Sequence, residues 1–421
     1  MRSPMVDAAR ARARAARGER TSAGTIENPV LGYQLENAAF PGTRSLAGML
    51  PEHMTMASLP LAGLYQRGAR VAQADAAVRV ADAEARSTGQ RIALDAARAY
   101  YRAAMSQVSA EVADNLTRWL DSVVVYNRTR VQQGVTAEAD LIRSELERDR
   151  ALADAGMQDA ELARARAALS MFLGDPGGPS LAWRVSLDDT LLAIPVDVTR
   201  AVADPVATVH EAAEPAGVAR FTDVGRRPDV IAARERLAAA AAGVSLEKRL
   251  RLRSLGAMVG VKGSGGMNSM MAGLSVPLPL FDQNRGELTR ARAQRDAAGF
   301  ELEAQSRSAR AELLGAQEAA RLLTERAGTL ARRDPTGVGA LYLTRADAAR
   351  TIALGAYREG AVPLLQVLDA ARAWGEARLA YYRTLYAQHE AVLALLVARG
   401  DDLLAALPAL TPASSRGQDS R

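Results

Sequence analysis

The chain has 421 residues, a net charge of +5 and no cysteine. The absence of cysteine excludes disulfides, thiolate metal sites and cysteine nucleophiles. Only 4% of the residues are aromatic, and acidic and basic residues alternate along the chain. This composition favours long helices with solvated faces over a compact globular core or a nucleic-acid-binding patch, and no nucleic-acid partner is expected.

Residues 1–174 predict a first structural repeat with a helix end, a strand hairpin and a helical hairpin. Residues 1–22 have the pattern of an amphipathic helix. Residues 28–61 predict the strand hairpin, because apolar and polar residues alternate over 28–38 and, after a loop rich in Pro, Gly and Ser, a second strand follows at roughly 53–61. The apolar positions at its start are Leu31, Tyr33 and Leu35. Residues 66–174 predict the helical hairpin, which turns at Gly134 and has small or apolar residues every seven positions. On the return arm these residues are Ala139, Leu146, Ala153, Ala160 and Ala167.

The second half of the chain predicts the same plan, as a second structural repeat over residues 227–400. It opens with a helix, continues with a strand hairpin at 255–280 and ends with a helical hairpin at 285–400. Between the repeats, residues 175–226 contain five prolines and predict an irregular connector. Residues 401–421 predict a disordered tail.

The turns of the two helical hairpins carry the clearest sign of duplication. Gly134-Val135 and Gly360-Ala361-Val362 have glycines 226 positions apart, and a long helical pattern runs into and out of each glycine. Similarity at a fixed offset defines the architecture, here two copies of a strand pair followed by a helical hairpin. The descending arm is longer in the second copy, and residues 334–339 predict a helix break that takes up the excess.

The predicted strands number four, in two hairpins that are far apart in the sequence. They are apolar on one side and small or polar on the other, which suits a barrel wall with lipid outside and water inside. Four strands cannot close a barrel, and a membrane sheet cannot leave its edges open. We therefore expect several chains to contribute strands to one barrel. The same patterning is also compatible with a small sheet that caps a soluble coiled coil.

Five short motifs in a fixed order carry a family resemblance. They are Asn28-Pro29-Val30-Leu31, Arg227-Pro228-Asp229, Leu278-Pro279-Leu280-Phe281 with Asn284-Arg285-Gly286, Tyr357-Arg358-Glu359-Gly360-Ala361, and Leu368-Asp369-Ala370. With these residues the sequence resembles the TolC-type outer-membrane efflux proteins, and is most similar to their CzcC-like heavy-metal branch. The resemblance extends over roughly residues 5 to 400.

The resemblance implies a mostly α-helical fold with a small β part. Long antiparallel helical hairpins would form a trimeric periplasmic α-barrel, and four strands per chain would contribute to a twelve-stranded outer-membrane β-barrel. It implies an outer-membrane exit duct that extends into the periplasm, is not an enzyme and has no cofactor. The partners would be two sister subunits, outer-membrane lipid, a periplasmic adaptor protein and an inner-membrane pump of the resistance-nodulation-division type that exports metal cations.

Two classes of alternative function stay open at this point. The outer-membrane components of drug efflux and of type I secretion share the same fold. A soluble coiled-coil scaffold, which belongs to a different class, would show the same helical periodicity. Dependence on detergent separates the last of these from a duct.

The resemblance also implies roles for individual residues. It places the adaptor-docking tips at the turns, with residues Gly134, Val135, Gly360, Ala361 and Val362. It places an entrance gate beside them, with residues Asp140, Tyr357, Gln366 and Asp369. Asp369 would contribute to a carboxylate ring that attracts cations, whereas Gln366 stands where a second aspartate is usual. Tyr357 and Asp140 match a pair that tethers the closed state, although Tyr357 is equally compatible with simple packing in the helical seam.

The N-terminus departs from the family pattern. Members begin with a signal peptide and a further stretch of helix, and an alignment of the first helix with residues 227–253 places Met1 inside that helix. We expect that a misassigned start codon or a truncation has removed a segment with the export signal and room for a lipid-bearing cysteine.

Catalytic chemistry has few candidate residues. The histidines His53, His210 and His389 are isolated in the sequence, without metal-ligand spacing. Methionines cluster in the two predicted strand hairpins, and their thioethers are soft ligands that suit Cu(I). The candidate ligands are Met54, Met56, Met270 and Met271. The alternative is that methionine merely fills lipid-facing or loop positions.

Overall fold

The computed structural model describes the chain over six ranges, which are residues 3–38, 50–173, 224–251, 255–277, 283–332 and 339–403. Over these ranges the chain is mostly helical and has one small antiparallel sheet, as the sequence predicts. The predicted connector and tail lie outside these ranges, except for residues 224–226 and 401–403.

The described residues form seven helices. In chain order they are α1 (Pro4–Ala23), α2 (Ala62–Gln132), α3 (Glu138–Leu173), α4 (Pro228–Arg249), α5 (Arg285–Leu330), α6 (Leu341–Arg358) and α7 (Leu364–Arg399). The predicted helix break is confirmed, because α5 ends at Leu330 and α6 begins at Leu341. Residues 333–338 of that break lie outside the described ranges.

Four strands form the sheet, in the order β1-β2-β3-β4. Their bounds are β1 (Val30–Glu36), β2 (Glu52–Pro60), β3 (Gly256–Ser264) and β4 (Met267–Ser275). All neighbouring strands are antiparallel, and β2 pairs with β3, so the two hairpins join into one sheet. The register aligns Tyr33 with Thr55, Thr55 with Val261, and Val261 with Met270.

Strand alternation gives the sheet two faces of different chemistry. The apolar face carries the predicted residues of β1 together with residues of β3 and β4 at matching register. Its large members are Leu31, Tyr33, Leu35, Leu59, Val259, Val261, Met270 and Leu274. These side chains are exposed in the single chain, with Met270 80% and Leu31 76% exposed. The polar face carries the alternate residues, which include glycines, serines and an ion pair between Glu52 and Lys262.

The chain packs as two compact units. The first takes in residues 88–227 and 308–421 with the first six residues. In this unit α2 and α7 share an apolar core, α2 also packs against α3, and α7 also packs against α5. The residues of these contacts are Ala97, Tyr101, Leu393 and Leu396 between α2 and α7, Ala104 and Ala165 between α2 and α3, and Ala320 and Leu395 between α5 and α7.

The second unit takes in residues 7–87 and 228–307 and contains the sheet with α1 and α4. Ion pairs join the helices here. Arg20 of α1 contacts Asp75 of α2 at 2.9 Å, and Arg79 of α2 contacts Glu235 of α4 at 2.7 Å. Each unit draws on both halves of the sequence, so the repeats predicted over 1–174 and 227–400 are not themselves the compact units.

The predicted seven-residue stripe of α3 is not the side of the helix that the single chain buries. Leu146 is 50% exposed, and Ala139, Ala153, Ala160 and Ala167 are exposed as well. The side of α3 that the single chain buries carries Ser144, Ala151, Ala165 and Leu169. An alanine-rich helix has several parallel stripes of small residues, so spacing alone does not identify the buried one.

Gly400 ends α7 in the left-handed conformation, with a φ of +83°. Its N–H donates to the carbonyl of Val397 at 2.9 Å, and the N–H of Asp401 donates to the carbonyl of Leu396 at 3.0 Å. These two bonds form a Schellman motif. A Cβ at this position would lie 3.0 Å from the backbone nitrogen of Arg227. Both the conformation and the space therefore require glycine.

Substitution Gly400→Ala is expected to lower the free energy of unfolding of the full chain by at least ~1–2 kcal/mol, the cost of a left-handed alanine. Denaturant unfolding followed by circular dichroism measures the loss. Gly315→Ala, within α5, is the control, because no atom lies within 4 Å of its Cβ position. That variant should gain about 0.5–1 kcal/mol. Equal effects of the two substitutions would contradict the assignment.

Candidate functional site

The two hairpin turns have the same backbone structure. Gly134 and Gly360 are left-handed, with φ of +72° and +77°. The Gly134 N–H donates to Val131 at 2.9 Å and the Val135 N–H to Arg130 at 2.9 Å. In the second turn Gly360 donates to Tyr357 at 3.0 Å, and Ala361 to Ala356 at 2.8 Å. Both helices thus end in Schellman motifs, which require a residue free to take positive φ.

The side chains at the two turns differ in exposure. Val135 is 60% exposed, and Gly134, Gly360 and Ala361 are exposed too. Val362 is half-buried and packs against an apolar cluster beneath the second turn. That cluster contains Leu120, Val123, Ala151, Tyr357, Leu364, Val367 and Leu368. The turn residues are therefore accessible, while the helices that lead into them are fixed by packing.

Tyr357 is buried at the end of α6. Its hydroxyl donates to Oδ1 of Asn127 on α2 at 2.7 Å, so within this chain its partner is Asn127 and not the predicted Asp140. Asn127 is fully buried, and its Nδ2 has no hydrogen-bond partner among the residues that the structure describes. The Tyr357–Asn127 hydrogen bond thus joins two helices from different halves of the sequence. Asp140 is still close enough to influence Tyr357 electrostatically.

Two arginines contact the ring pair of Tyr126 and Tyr357. The guanidinium carbon of Arg130 lies 5.6 Å from the ring centre of Tyr126 and 5.8 Å from that of Tyr357. Arg358 lies 5.9 Å from the ring of Tyr126, and the two tyrosine rings meet edge to face at 5.9 Å. Cation–π contacts of this kind stabilise the packing of α2 against α6.

Burial raises the pKa of the Tyr357 phenol, and the negative charge of Asp140 raises it further, although Arg130 opposes the shift. The phenol therefore stays protonated, and keeps its donor hydrogen, to a higher pH than an exposed tyrosine. The hydrogen bond to Asn127 is therefore kept to a higher pH than an exposed tyrosine would allow.

The other two predicted gate residues lie at the start of α7 and are exposed. Asp369 approaches Arg372 at 3.6 Å, while Arg372 also forms an ion pair with Glu147 of α3. Gln366 donates its backbone N–H to the carbonyl of Pro363 at 3.1 Å. Asp140 therefore acts on Tyr357 only electrostatically, while Asp369 and Gln366 lie on an open surface of the single chain.

A partly buried polar cluster joins α6 to α7 and was not predicted. Nε1 of Trp374 donates to Asp347 at 2.5 Å, and Arg378 pairs with the same carboxylate at 3.1 Å. Arg350 stacks over the ring of Trp374 at 4.0 Å. No sequence signal links these residues, because Asp347 and Trp374 lie on different helices.

Asn127 was also missed, although a signal existed. The residues Leu120, Val123, Val124 and Asn127 follow the spacing of one helix face, and all four are buried. A polar residue on such a stripe needs a partner. The sequence could therefore have marked Asn127 as a buried hydrogen-bonding group, but it could not have named Tyr357 as that partner.

The predicted methionine ligands do not form one set. Met54, Met56 and Met271 lie on the polar face of the sheet, whereas Met270 lies on the apolar face. Consecutive residues of a strand point to opposite sides, so Met270 and Met271 cannot share a site. Met258, which was not selected, lies on the polar face as well.

His53 and His389 each make a local polar contact. The hydroxyl of Tyr33 is 2.6 Å from Nδ1 of His53, and Nδ1 of His389 is 2.7 Å from the carbonyl of Leu385. His210 lies outside the described residues. In the described ranges no group of three or more histidine, cysteine or carboxylate side chains could hold a metal ion. None of the helices in these ranges is both long and apolar enough to cross a membrane.

No protein-family model matches this sequence, and no curated protein matches it. Solved structures do resemble it. The outer-membrane channel OprN has a TM-score of 0.70 and 21% identity over 95% of this chain and 88% of that chain. The outer membrane protein VceC from Vibrio cholerae has a TM-score of 0.71 and 19% identity, over 96% of this chain and 94% of that chain. CusC, whose structures describe transmembrane channel formation, has a TM-score of 0.69 and 17% identity, over 95% of this chain and 89% of that chain. The chain therefore has the fold of these outer-membrane proteins.

Substitution Tyr357→Phe is expected to lower the free energy of unfolding by about 1–3 kcal/mol, because it leaves the buried Oδ1 of Asn127 without a donor. Denaturant unfolding of the full chain measures the loss. Tyr342→Phe is the matched control, since Tyr342 lies on the same helix and is 37% exposed. Similar losses in both variants would rule out a stabilising role for the bond.

The Tyr357 phenol is expected to ionise above the ordinary tyrosine pKa of about 10. Its folded pKa is raised, so its contribution to stability is present below pH ~10 and is lost as the pH rises through the folded value. The ultraviolet absorbance of phenolate, measured as wild type minus Tyr357→Phe, gives the midpoint. A midpoint at or below that of free tyrosine would contradict the burial of the hydroxyl.

Proposed function

We propose that this chain is one subunit of an outer-membrane exit duct in a tripartite efflux system. The observation that carries the proposal is the sheet, which has an exposed apolar face, a polar opposite face and two open edges. The likeness in fold to OprN, VceC and CusC over at least 95% of this chain supports it. A duct moves substrate without chemical change, so the protein would not be an enzyme.

The chemistry of the sheet fits a barrel wall. Its apolar face would contact lipid, and its polar face, with the Glu52–Lys262 ion pair, would contact water inside the barrel. Three copies would supply twelve strands and pair β1 of one copy with β4 of the next. A homotrimer is therefore the smallest assembly that closes a barrel of the predicted size. A soluble scaffold is less favoured, because it would leave this apolar face in water.

Exposed apolar side chains on the helices also fit a homotrimer. On α3 they are Ile142, Leu146, Leu152 and Met157, and on α5 they are Phe300, Leu314 and Leu322. Leu146 belongs to the predicted stripe of α3, which the single chain leaves exposed. Sister subunits that cover these side chains would build a helical barrel in the periplasm. The apolar side chains that each single chain leaves exposed would then be buried in the trimer.

The two glycine turns are the proposed docking tips for a periplasmic adaptor. Their backbone is rigid and their residues are accessible, which suits recognition by another helical hairpin. Beside the second turn, Tyr357 would hold the entrance closed through Asn127, with Asp140 nearby. Asp369 would add negative charge that favours cations. The inner-membrane pump would supply the energy.

The substrate class follows from the sequence resemblance to the CzcC-like branch, which exports metal cations with a pump of the resistance-nodulation-division type. We propose metal cations as the exported substrate on that ground. No described residue favours drug efflux or type I secretion over metal export.

Single-channel recording in planar lipid bilayers tests the duct and its gate together. Wild-type protein is expected to insert and to stay mostly closed, because the Tyr357–Asn127 bond holds α6 against α2. Tyr357→Phe should raise the mean conductance several-fold, whereas Tyr342→Phe should leave it unchanged. Protein that inserts but never conducts would refute the duct. Equal conductance in all three proteins would refute only the gating role of Tyr357.

A further inference from the structure

Four helix ends of the second unit meet the sheet at one of its ends. Val30 of β1 pairs with Ser58 of β2. Gly256 of β3 pairs with Pro60 of β2 and with Ser275 of β4. The first residues of β1 and β3 therefore lie at the same end as the last residues of β2 and β4. Because α1 and α4 precede β1 and β3, while α2 and α5 follow β2 and β4, all four helices approach this end, which we call the junction.

Hydrogen bonds join the four helix ends at the junction into one row. The donors and acceptors are Arg67 and the carbonyl of Gly24 at 2.8 Å, Arg249 and the carbonyl of Tyr65 at 3.0 Å, and Asn284 and the carboxylate of Glu247 at 2.8 Å. These bonds connect the end of α1 with α2, α2 with α4, and α4 with the start of α5, in the order of the strands. The junction is therefore one continuous surface.

Positive charge without a carboxylate partner collects at the junction. Seven described cations lie within ten residues of a strand end there. Two of them form ion pairs, Arg20 with Asp75 and Arg70 with Glu27. The other five have no carboxylate partner among the described residues, and all five are exposed. These five residues, which we call the cation belt, are Arg67, Lys248, Arg249, Arg251 and Arg285.

The opposite end of the sheet has no such excess of positive charge in the part that the structure describes. The charged side chains there are Glu36, Glu52 and Lys262, and the last two form an ion pair. At the junction, by contrast, the nearby carboxylate of Glu287 is engaged by Arg290 at 2.5 Å and does not neutralise the cation belt. The two ends of the sheet therefore differ in the sign of their net charge.

Exposed apolar side chains continue from the apolar face of the sheet toward the cation belt. That face reaches the junction with Leu59 and Leu274, which are both exposed. Just beyond β2, Leu64 is 56% and Tyr65 is 40% exposed. The guanidinium carbon of Arg249 lies 5.6 Å from the ring centre of Tyr65. Tyrosine and cationic side chains beside an apolar surface are typical of the boundary between lipid tails and headgroups.

We propose that the cation belt binds the phosphate groups of anionic phospholipids, such as phosphatidylglycerol, where the sheet meets the helices. The proposal rests on the proposed function, which places the apolar face of the sheet in lipid, and it adds which headgroups the protein selects. Guanidinium groups bind phosphate oxygens through paired hydrogen bonds. Long cationic side chains reach a headgroup while their stems stay in apolar surroundings. Three copies of the belt would surround the barrel at one level of the membrane.

Electron paramagnetic resonance of spin-labelled lipids, in membranes that contain the full chain, tests the cation belt. Lipid beside the protein is motionally restricted, and its amount gives the ratio of the association constants of phosphatidylglycerol and phosphatidylcholine. We expect the wild type to prefer phosphatidylglycerol at least about threefold, because each cation near anionic lipid contributes about fivefold and only one leaflet meets the belt. Raising the salt from about 0.05 to about 0.5 M should remove most of the preference. Inorganic phosphate at constant ionic strength should not displace the lipid.

Two triple variants with the same change in charge separate the belt from general electrostatics. The belt variant is Lys248→Gln, Arg251→Gln, Arg285→Gln, and it should lose the preference. It leaves Arg67 and Arg249 in place, because these two join neighbouring helices. The control variant is Arg12→Gln, Arg86→Gln, Arg234→Gln, and it should keep the preference. Its exposed positions are at least eleven residues from the helix ends that meet the sheet, or about 16 Å along a helix.

Equal restriction of both lipids by the wild type, equal loss of preference in the two variants, or displacement of the lipid by inorganic phosphate would overturn the belt. A wild-type preference that salt lowers would support it even if the belt variant did not fold. Channel recording keeps this result apart from the proposed function. A wild type that conducts without preferring phosphatidylglycerol would retain the duct and lose the belt. A wild type that prefers phosphatidylglycerol but does not conduct would do the reverse.

Discussion

The open edges of the four-stranded sheet are the constraint on which the rest of the account depends. Among the described strands, β1 and β4 each have a single neighbour, so each leaves a row of backbone N–H and C=O groups unpaired. Water could satisfy these groups, but in the proposed barrel the apolar face of the same sheet would lie in lipid, where each unsatisfied group costs several kcal/mol. Pairing with the edges of further copies is the arrangement that satisfies both the face and the edges.

The helices of the single chain also leave part of their apolar surface exposed. In the single chain, α2 and α7 bury their apolar sides, while α3 leaves Leu146 and its neighbours exposed. The two turns share one backbone motif but differ in their surroundings, since Val135 is free and Val362 rests on a packed cluster. The Tyr357–Asn127 bond and the Trp374–Asp347 bond fix α6 on both sides. The second turn is therefore held by side-chain bonds that a conformational change would have to break.

Local pattern predicted most of the fold, and long-range pairing decided the rest. Period-two alternation identified all four strands and their apolar face, and the repeated glycines identified both turns, because each depends on neighbouring residues only. The predicted stripe of α3 is not the side that the single chain buries, since an alanine-rich helix offers several equivalent stripes. Asn127 could have been found from its helical spacing, but its partner is 230 residues away. The placement of Met270 and Met271 in one site ignored strand alternation, which the sequence already contained.

Disulfide cross-linking between subunits tests the closure of the barrel most directly, because the chain has no native cysteine. Variants with Leu31→Cys on β1 and one cysteine on β4, placed in turn at Met270, Ala272 and Leu274, would be oxidised in the outer membrane. Edge pairing around a closed ring predicts that at least one variant gives covalent dimers and trimers and nothing larger. Monomers alone in every variant, or a ladder that continues beyond three chains, would contradict the shared barrel.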